Sequence, residues 1–351
     1  MLTPAYINLN YWFYPVGNTP AINFFRDCRT TTQQQTTVLS LALGDVRNIV
    51  FSLQCQGASD NGVSYAFTLC DYEAAVLARN IFLLTLIIDD NSESTSKADA
   101  LLDSSSWDFY YHLFITNATI QRIRQHAARL VQISSSAEEW SSSGYGAFIK
   151  YLSSSTLEEV RDFWRRYAGD IASTNSDEEE ARKSIKKTFK KQRENTLATG
   201  VQSAGFHGLS AMGDMRNAFN SYWQTGVVAG NEKDVAALAK DNGGRVNPLF
   251  LYSSAPTSKF AVHYGTDPLL GFHLAEAFDR KLSASMRANT LAKLAKSQFL
   301  MWCKTFAALA RDEKVQILFH CSEAINLCHE LQRFNDQPHQ LNRLVHIYNK
   351  P

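Results

Sequence analysis

Four segments near the N-terminus alternate between strand-like and helix-like patterns, and this alternation restricts the fold more than any other feature of the chain. They read "TVLSLAL", "DVRNIVFSLQ", "VSYAFTLCD" and "YEAAVLARNIFLLTLIID", in that order from residue 37 to residue 89. The first and third are short and rich in β-branched or aromatic residues, whereas the fourth repeats its apolar residues at helical spacing. A strand, a helix and a second strand predict a βαβ unit with parallel strands.

The middle of the chain, from about Trp107 to Gly230, has the patterns of long helices. Examples are "IQRIRQHAARLVQI", "TLEEVRDFWRRYAG", "EEEARKSIKKTFKKQREN" and "MRNAFNSYWQTG". Thr156 with Glu159 fits a capping box at the start of the second of these helices.

Strand signals return late in the chain, in "SKFAVHYGTD" and "KVQILFH", and each is followed by a helical pattern, "PLLGFHLAEAFDRK" and "SEAINLCHELQRF". We therefore predict an α/β, Rossmann-like fold with a mostly parallel sheet flanked by helices and with a helical insert. Residues 1–115 would form the N-terminal half of this domain, 116–235 the helical insert, and 236–351 the C-terminal half that completes the sheet.

Composition excludes several classes of protein. The 35 basic and 34 acidic residues nearly cancel, so no overall field favours DNA or a membrane surface. The six cysteines contain no CxxC pair, and no apolar run reaches the length of a membrane span. The spacing of His320, Cys321, Cys328 and His329 differs from that of common zinc sites, so we expect no metal. We predict a cytoplasmic protein that binds neither membrane nor DNA.

The stretch "LALGDVRN" lies where the first predicted strand turns into a helix. Free N–H groups at such a junction favour an anion or a polar ligand, and Gly44 would let that ligand approach the backbone. A dinucleotide fingerprint needs further glycines, but Asp71, 27 residues later, is placed as the acid that binds a ribose hydroxyl. Alternatively, Asp45 and Asp71 only cap the helices that follow them.

Two polar residues, Arg79 and Asn80, interrupt the apolar helix "AAVLARNIFLLTLII". A buried arginine needs a carboxylate partner, and Asp45 or Asp71 would supply one. The pair is either an internal salt bridge or a guanidinium that contacts substrate.

The segment "HYGTDPLLGFHLA" concentrates ionisable side chains where a strand breaks into a helix, which is typical of catalytic loops. His263, Tyr264 and Asp267 are the candidate catalytic residues, and Asp267 also fits an N-cap ahead of Pro268. His273 is predicted to be a satisfied core histidine in the following helix. Ser40, Cys70 and Ser210 are conceivable nucleophiles.

One predicted helix carries a dense group of cations. Its members are Arg182, Lys183, Lys186, Lys187, Lys190, Lys191 and Arg193. A solvated surface helix is one explanation, because the preceding "DEEE" partly neutralises the charge. Docking on a phosphate backbone is the other, since such contacts need clustered Lys and Arg rather than net charge.

Five segments in order along the chain resemble a large, mostly uncharacterised family of fungal proteins. These segments are "YPVGNTPAINFFRD", "LALGDVRNIVFSL", "FTLCDYEAAVLARNIFLLTLII", "HYGTDPLLGFHLAEAF" and "ILFHCSEAINLCHELQ". The family domain is often found beside a MYND-type zinc finger, absent here, and is distantly similar to the N-terminal domain of dynein axonemal assembly factors.

The resemblance implies a Rossmann-type, methyltransferase-like fold with its first loop at Gly44–Asn48 and an acid, Asp71, at the second strand end. The expected substrate-binding residues are Asn18, Gly44, Asp45, Arg47, Asn48, Asp71, Glu73, Arg79 and Asn80. Relatives often carry a second glycine where this chain has Ala42, which argues against bound S-adenosylmethionine.

The resemblance further links the chain to fungal enzymes that make arginine-containing cyclodipeptides from aminoacyl-tRNA. It implies an aminoacyltransferase without a cofactor, whose cationic helix binds tRNA and whose acids, such as Asp71, Glu73 or Asp267, pair with an arginine side chain. A methyltransferase-like protein with S-adenosylmethionine bound at Gly44 and Asp71, and a non-enzymatic scaffold or assembly factor, are the alternatives.

Overall fold

The computed structural model describes fourteen stretches of the chain. They are residues 15–17, 19–26, 35–57, 62–92, 105–169, 179–180, 182–183, 186–187, 190, 213–228, 236, 244–252, 267–274 and 284–322. Within them the strands are β1 Gln35–Leu41, β2 Ser64–Asp71, β3 Phe114–Ile115, β4 Ile149–Tyr151, β5 Arg245–Val246 and β6 Val315–Cys321. The α-helices are α1 Arg47–Gln56, α2 Ala74–Ser92, α3 Ser105–Tyr111, α4 Asn117–Ile133, α5 Ala137–Ser142, α6 Ser154–Ala168, α7 Gly213–Thr225 and α8 Ala284–Arg311.

Four of these strands form an entirely parallel sheet in the order β1-β2-β6-β4. Helices flank this sheet, which confirms the predicted α/β, Rossmann-like fold. β1 and β2 are parallel neighbours joined through α1, which confirms the predicted βαβ unit. β3 and β5 form a separate antiparallel pair.

The strand β4 was not predicted, and it ties the middle of the chain to the sheet. It has three residues, lies within 116–235, and pairs in parallel with β6. Three residues are too few to produce a period-two pattern, so the sequence around them reads as helical. This stretch therefore contributes the edge strand of the main sheet as well as helices.

The helices bury a core rich in large aromatic side chains. α1 packs against α8, and α2 packs against both α6 and α8. The 28-residue helix α8 was not predicted, although its buried Phe299, Trp302 and Phe306 follow helical spacing. None of the helices within the described ranges combines the length and apolarity needed to cross a bilayer.

The two faces of the parallel sheet differ in burial. Along β6, Val315, Ile317 and Phe319 are buried, whereas Gln316 is exposed and Leu318 is half-buried. Because successive side chains of a strand point to opposite faces, one face of the sheet packs into the core and the other is more open.

Two local predictions are wrong in detail. The N-cap of α6 is Ser153, whose Oγ accepts the N–H of Thr156, so the helix starts before the predicted capping box. Thr156 lies inside the helix and instead accepts the N–H of Cys321. The described part of "PLLGFHLAEAFDRK" is a 3₁₀ turn, Pro268–Gly271, followed by non-helical residues to 274.

Candidate functional site

The first loop after β1 is hydrogen-bonded to the second turn of α2 and to the end of β2. Its Gly44 N–H donates to the Asp71 carboxylate at 2.9 Å, and its carbonyl accepts from the Asn80 amide at 2.6 Å. Ala42 and Gly44 have positive φ values of 52° and 62°. Position 42 thus has a backbone conformation that favours glycine. Because both backbone groups of Gly44 are engaged, the loop offers a ligand less than its sequence suggests.

Asp71 also prepares the start of α2. Its second carboxylate oxygen accepts the N–H of Glu73 at 3.0 Å, just before the helix begins. Behind the loop, the Tyr110 hydroxyl donates to the Asn80 side chain at 2.8 Å. Asp71 therefore caps and braces the fold, as the structural alternative for this residue predicted.

A buried ion pair fixes the N-terminal segment on the same loop. The Arg47 guanidinium pairs with Asp45 at 2.9 Å and donates to the Thr19 hydroxyl at 2.8 Å. The Gly17 N–H donates to the same carboxylate at 2.6 Å, and a Cβ at Gly17 would lie 1.2 Å from the guanidinium Nη1. The arginine thus lies directly on the glycine backbone.

The other predicted polar residue of this loop has the same kind of role. The Asn48 side chain accepts the N–H of Ile22 at 3.0 Å, and Ser52, one turn later, accepts the N–H of Phe24 at 2.8 Å. The loop and α1 therefore hold residue 17 and residues 19–24 in place. Asn18 lies outside the described residues.

Arg79 is fully buried and is held by carbonyls and aromatic rings. Its Nε donates to the carbonyl of Pro15 at 3.1 Å, and its two Nη atoms donate to the carbonyls of Leu249 and Tyr110. Its guanidinium also lies 4.1 Å from the Tyr110 ring centroid and 4.4 Å from that of Phe250. Burial lowers the pKa of this arginine, and the neighbouring tyrosines oppose that shift.

The predicted carboxylate partner of Arg79 is wrong. Asp45 pairs with Arg47, and Asp71 binds backbone N–H groups. Among the described residues no acid pairs with Arg79. Carbonyl dipoles and ring faces can stabilise a guanidinium without a counter-charge, because the charge is delocalised and weakly hydrated.

The predicted catalytic segment is described in part. His263 and Tyr264 lie outside the described residues. Asp267 is 1% exposed and accepts the N–H of Leu269 at 3.0 Å, which confirms its capping role ahead of Pro268. His273 is exposed and follows the 3₁₀ turn, so its placement in a buried helix is wrong.

One predicted residue, Glu73, differs from the others. It follows the carboxyl end of β2, is half-buried, and receives no hydrogen bond on its carboxylate from any described residue. Burial raises its pKa, and the negative charge of Asp71 raises it further. The neighbouring Tyr72 is 57% exposed. A half-buried acid beside a second acid favours a cation, which would relieve both the desolvation and the repulsion.

Two of the three conceivable nucleophiles, Cys70 and Ser40, lie within the described residues. Cys70 is fully buried, and its thiol donates to the carbonyl of Ser322. Ser40 is half-buried on β1, and Ser210 lies outside the described residues. Burial and the charge of Glu159 raise the pKa of Cys321 far above its ordinary range, so it is a protonated thiol.

The cationic helix is described at five of its seven basic positions, and these are helical. Lys186, Lys187 and Lys190 are exposed. Lys183 pairs with Glu179 at 3.0 Å, and Arg182 donates to the carbonyl of Gly244. Lys191 and Arg193 lie outside the described residues. Lys186 and Lys187 are consecutive and Lys190 lies about one turn later, and all three present their charges to solvent.

Sequence reasoning overlooked three parts of this region. Gly17 and Thr19 enclose the Arg47 guanidinium, and a contact at that sequence separation leaves no local pattern. His320 was considered as a metal ligand alone, although it stands next to last on β6, and ligands of open α/β sheets bind beyond this end of the strands. Among the described residues no three His, Cys, Asp or Glu side chains group as a metal site would require.

Comparison with known proteins gives one match. Residues 15–115 match a domain family described as "Domain of unknown function (DUF4470)". No curated protein and no solved structure matches the chain significantly. The matched region extends from the segment that covers Arg47 to β3 and includes β1, β2, the first loop, Glu73 and Arg79. The family match therefore covers the N-terminal part of the fold, which contains the first loop.

Proposed function

We propose that the protein is a cytoplasmic aminoacyltransferase that takes aminoacyl groups from charged tRNA and joins two of them in an arginine-containing cyclodipeptide. The observation that carries this proposal is Glu73, a half-buried carboxylate without a hydrogen-bond donor among the described residues. In open α/β sheets, ligands bind beyond the carboxyl ends of the strands, which is where Glu73 lies.

The electrostatics of this position favour a guanidinium. The pKa of Glu73 is raised by burial and by the charge of Asp71. A bound cation stabilises the ionised form of both acids, because its positive charge offsets the repulsion between the two carboxylates. An arginine side chain fits this requirement because its planar fork binds a carboxylate with two parallel hydrogen bonds.

The exposed lysines of the cationic helix support a nucleic acid as the second component. Lys186, Lys187 and Lys190 have no acidic partner among the described residues, so their charges are available to phosphates. The nearly neutral net charge argues for a local docking site on tRNA instead of general binding to nucleic acid.

Purified protein incubated with a pool of charged tRNAs tests the proposal, with mass spectrometry of the products. We expect a cyclodipeptide that contains arginine. Glu73→Gln should raise the arginyl-tRNA concentration needed for half-maximal rate by about tenfold or more, because it removes a charge-assisted pair with the guanidinium. A tenfold change corresponds to a loss of about 1.4 kcal/mol in binding free energy. Glu158→Gln, at an exposed position of α6, is the matched control and should leave this concentration unchanged. Absence of any cyclodipeptide contradicts the proposal.

A non-enzymatic scaffold is the second candidate, and the internal bonding of the first loop favours it. Four of the predicted ligand-binding residues form hydrogen bonds within the protein that involve its own backbone: Gly44, Asp45, Asn48 and Asp71. The same bonding disfavours the S-adenosylmethionine alternative, because Gly44 N–H and Asp71 would have to release each other. Isothermal calorimetry with S-adenosylmethionine should show no heat of binding, and heat that disappears in Asp71→Ala would reverse this ranking.

A further inference from the structure

His320 lies at the centre of the edge where the parallel strands end. It is the penultimate residue of β6, which has β2 on one side and β4 on the other. Its register partner on β2 is Cys70. On the other side Leu152, the residue after β4, extends the ladder by donating its N–H to the Phe319 carbonyl. His320 is thus flanked by backbone on both sides and is fixed in position.

The side chain of His320 belongs to the more open face of the sheet. It is half-buried, and by alternation it shares its face with Leu318 and the exposed Gln316. Leu152, level with it, is 46% exposed. Lys150 on β4 and Cys70 on β2 are the other ionisable side chains that the register places on this face.

The imidazole forms no hydrogen bond with the part of the chain that the structure describes. Its Nδ1 is buried and has no hydrogen-bond partner among the described residues. His126, by contrast, binds Thr85 and Asp89 through its two ring nitrogens. The buried Nδ1 is out of reach of a ligand, so the atom at this edge of the sheet that can accept a proton from one is Nε2, which no described residue binds.

We propose that His320 is a catalytic residue, the general base that deprotonates the attacking amine in the proposed aminoacyl transfer. This inference rests on the proposed function and deepens it. Glu73 follows the end of β2, and β2 is the neighbour of β6 at a spacing of about 5 Å. In this proposal an arginyl group bound at Glu73 presents its α-amino group at the middle of the edge, where His320 lies.

The step balances without any further reactant. The amine nitrogen of one aminoacyl group forms a bond to the ester carbonyl carbon of the other, and the bond from that carbon to the tRNA ribose oxygen breaks. His320 takes the proton that the amine loses and delivers it to the departing ribose oxygen. The products of this transfer are a dipeptidyl-tRNA and a tRNA with a free hydroxyl. A second transfer of the same kind closes the ring: the remaining amine attacks the remaining ester carbonyl, and the second tRNA leaves with its free hydroxyl.

Single-turnover measurements of cyclodipeptide formation between pH 5 and pH 9 test this role. For the wild-type protein we expect the rate to rise with pH between pH 5 and pH 9, because a general base accepts a proton only in its neutral form. His320→Asn and His320→Gln should lower the rate by about a hundredfold or more and remove that limb of the profile, since general bases contribute about 10²-fold to 10⁴-fold. Gln316→Ala, on the same strand and face, is the control and should keep both rate and profile.

The possible results separate the two proposals. No cyclodipeptide from the wild-type protein overturns the proposed function and with it the role of His320. A wild-type rate that does not change between pH 5 and pH 9 overturns the role of His320 alone and needs no variant that must fold. So does a His320→Asn protein with an unchanged melting temperature and the wild-type rate. Loss of rate with an unchanged melting temperature supports the inference, because a residue that only packs would change stability first.

Discussion

The carboxylate of Asp71 binds the backbone N–H of Gly44 at 2.9 Å, and this bond joins the end of β2 to the loop that follows β1. The strands β1 and β2 are parallel neighbours, so their carboxyl ends lie side by side and a short side chain on one reaches the loop of the other. The Asp71 carboxylate therefore occupies the place beside the Gly44 N–H where an anionic ligand would otherwise bind.

Asp71→Ala should destabilise the protein by about 2 kcal/mol, because it leaves two N–H groups, of Gly44 and Glu73, without their acceptor. Asp71→Asn retains one acceptor oxygen and should cost less. Urea unfolding of both variants gives the two free energies. Equal stability of Asp71→Ala and the wild-type protein would show that this carboxylate is not needed for the fold and is free for a ligand.

Gly17→Ala should unfold the N-terminal segment from the first loop. The added Cβ would lie 1.2 Å from Nη1 of Arg47, so the buried guanidinium would have to leave Asp45. We expect a loss of about 3 kcal/mol in the free energy of unfolding, as for overpacking combined with a broken buried ion pair.

Gly144→Ala is the matched control for this substitution, because nothing lies within 4 Å of a Cβ at that position and its φ is not in the left-handed region. Thermal melts of both variants and the wild-type protein measure the two effects, and Gly144→Ala should be neutral or slightly stabilising. Similar melting temperatures for the two alanine variants would rule out the close contact at Gly17.

The alternation of strands and helices in residues 37–89 was sufficient to predict the βαβ unit, because period-two and helical patterns are local properties of the sequence. The strand β4 was not predicted, because three residues are too few to show an alternating pattern of buried and exposed side chains. The helix α8 was missed although Phe299, Trp302 and Phe306 carried a readable helical signal.

At the candidate site, residue types were easier to predict than partners. Asp45, Arg47 and Asp71 were identified as a polar cluster from the first loop and the strand end. The partners of Arg79 were not identified, because they are the backbone carbonyls of Pro15 and Leu249, which are far away in sequence. Every residue type has the same backbone carbonyl. A backbone carbonyl leaves no mark in a sequence, so such partners become visible in the folded chain alone.

Asp89 should stabilise the protein at neutral pH and lose that effect in acid. Burial alone would raise its pKa, but hydrogen bonds from His126 and Tyr145 and the charge of Arg129 outweigh burial and lower it. Since the folded pKa lies below the unfolded value of about 3.9, the contribution is complete above that pH and disappears as pH falls through the folded pKa.

Urea unfolding of Asp89→Asn between pH 3 and pH 7 measures this contribution. The variant should be less stable than the wild-type protein at pH 7, and the gap should narrow below about pH 4. Asp90→Asn is the neighbouring control, because burial raises the pKa of Asp90 more than Arg122 lowers it. Relative to that variant, the wild-type protein should gain stability as pH falls. The same pH trend for both variants would contradict these assignments.

Arg79→Lys should be among the most destabilising conservative changes in the chain. Lysine has one ammonium group, so it cannot reach the carbonyls of Pro15, Leu249 and Tyr110 together, and it lacks the planar face that lies on the rings of Tyr110 and Phe250.

A fully buried ammonium at position 79 has a lowered pKa, and its folded pKa would therefore be below its unfolded value of about 10.4. The stability of the variant should then rise with pH between about 6 and 9, whereas the wild-type guanidinium stays charged and adds no such slope. Thermal melts at pH 6 and pH 9, compared as the difference between variant and wild type, measure the effect. A difference that does not change with pH would mean that water or an acid reaches position 79.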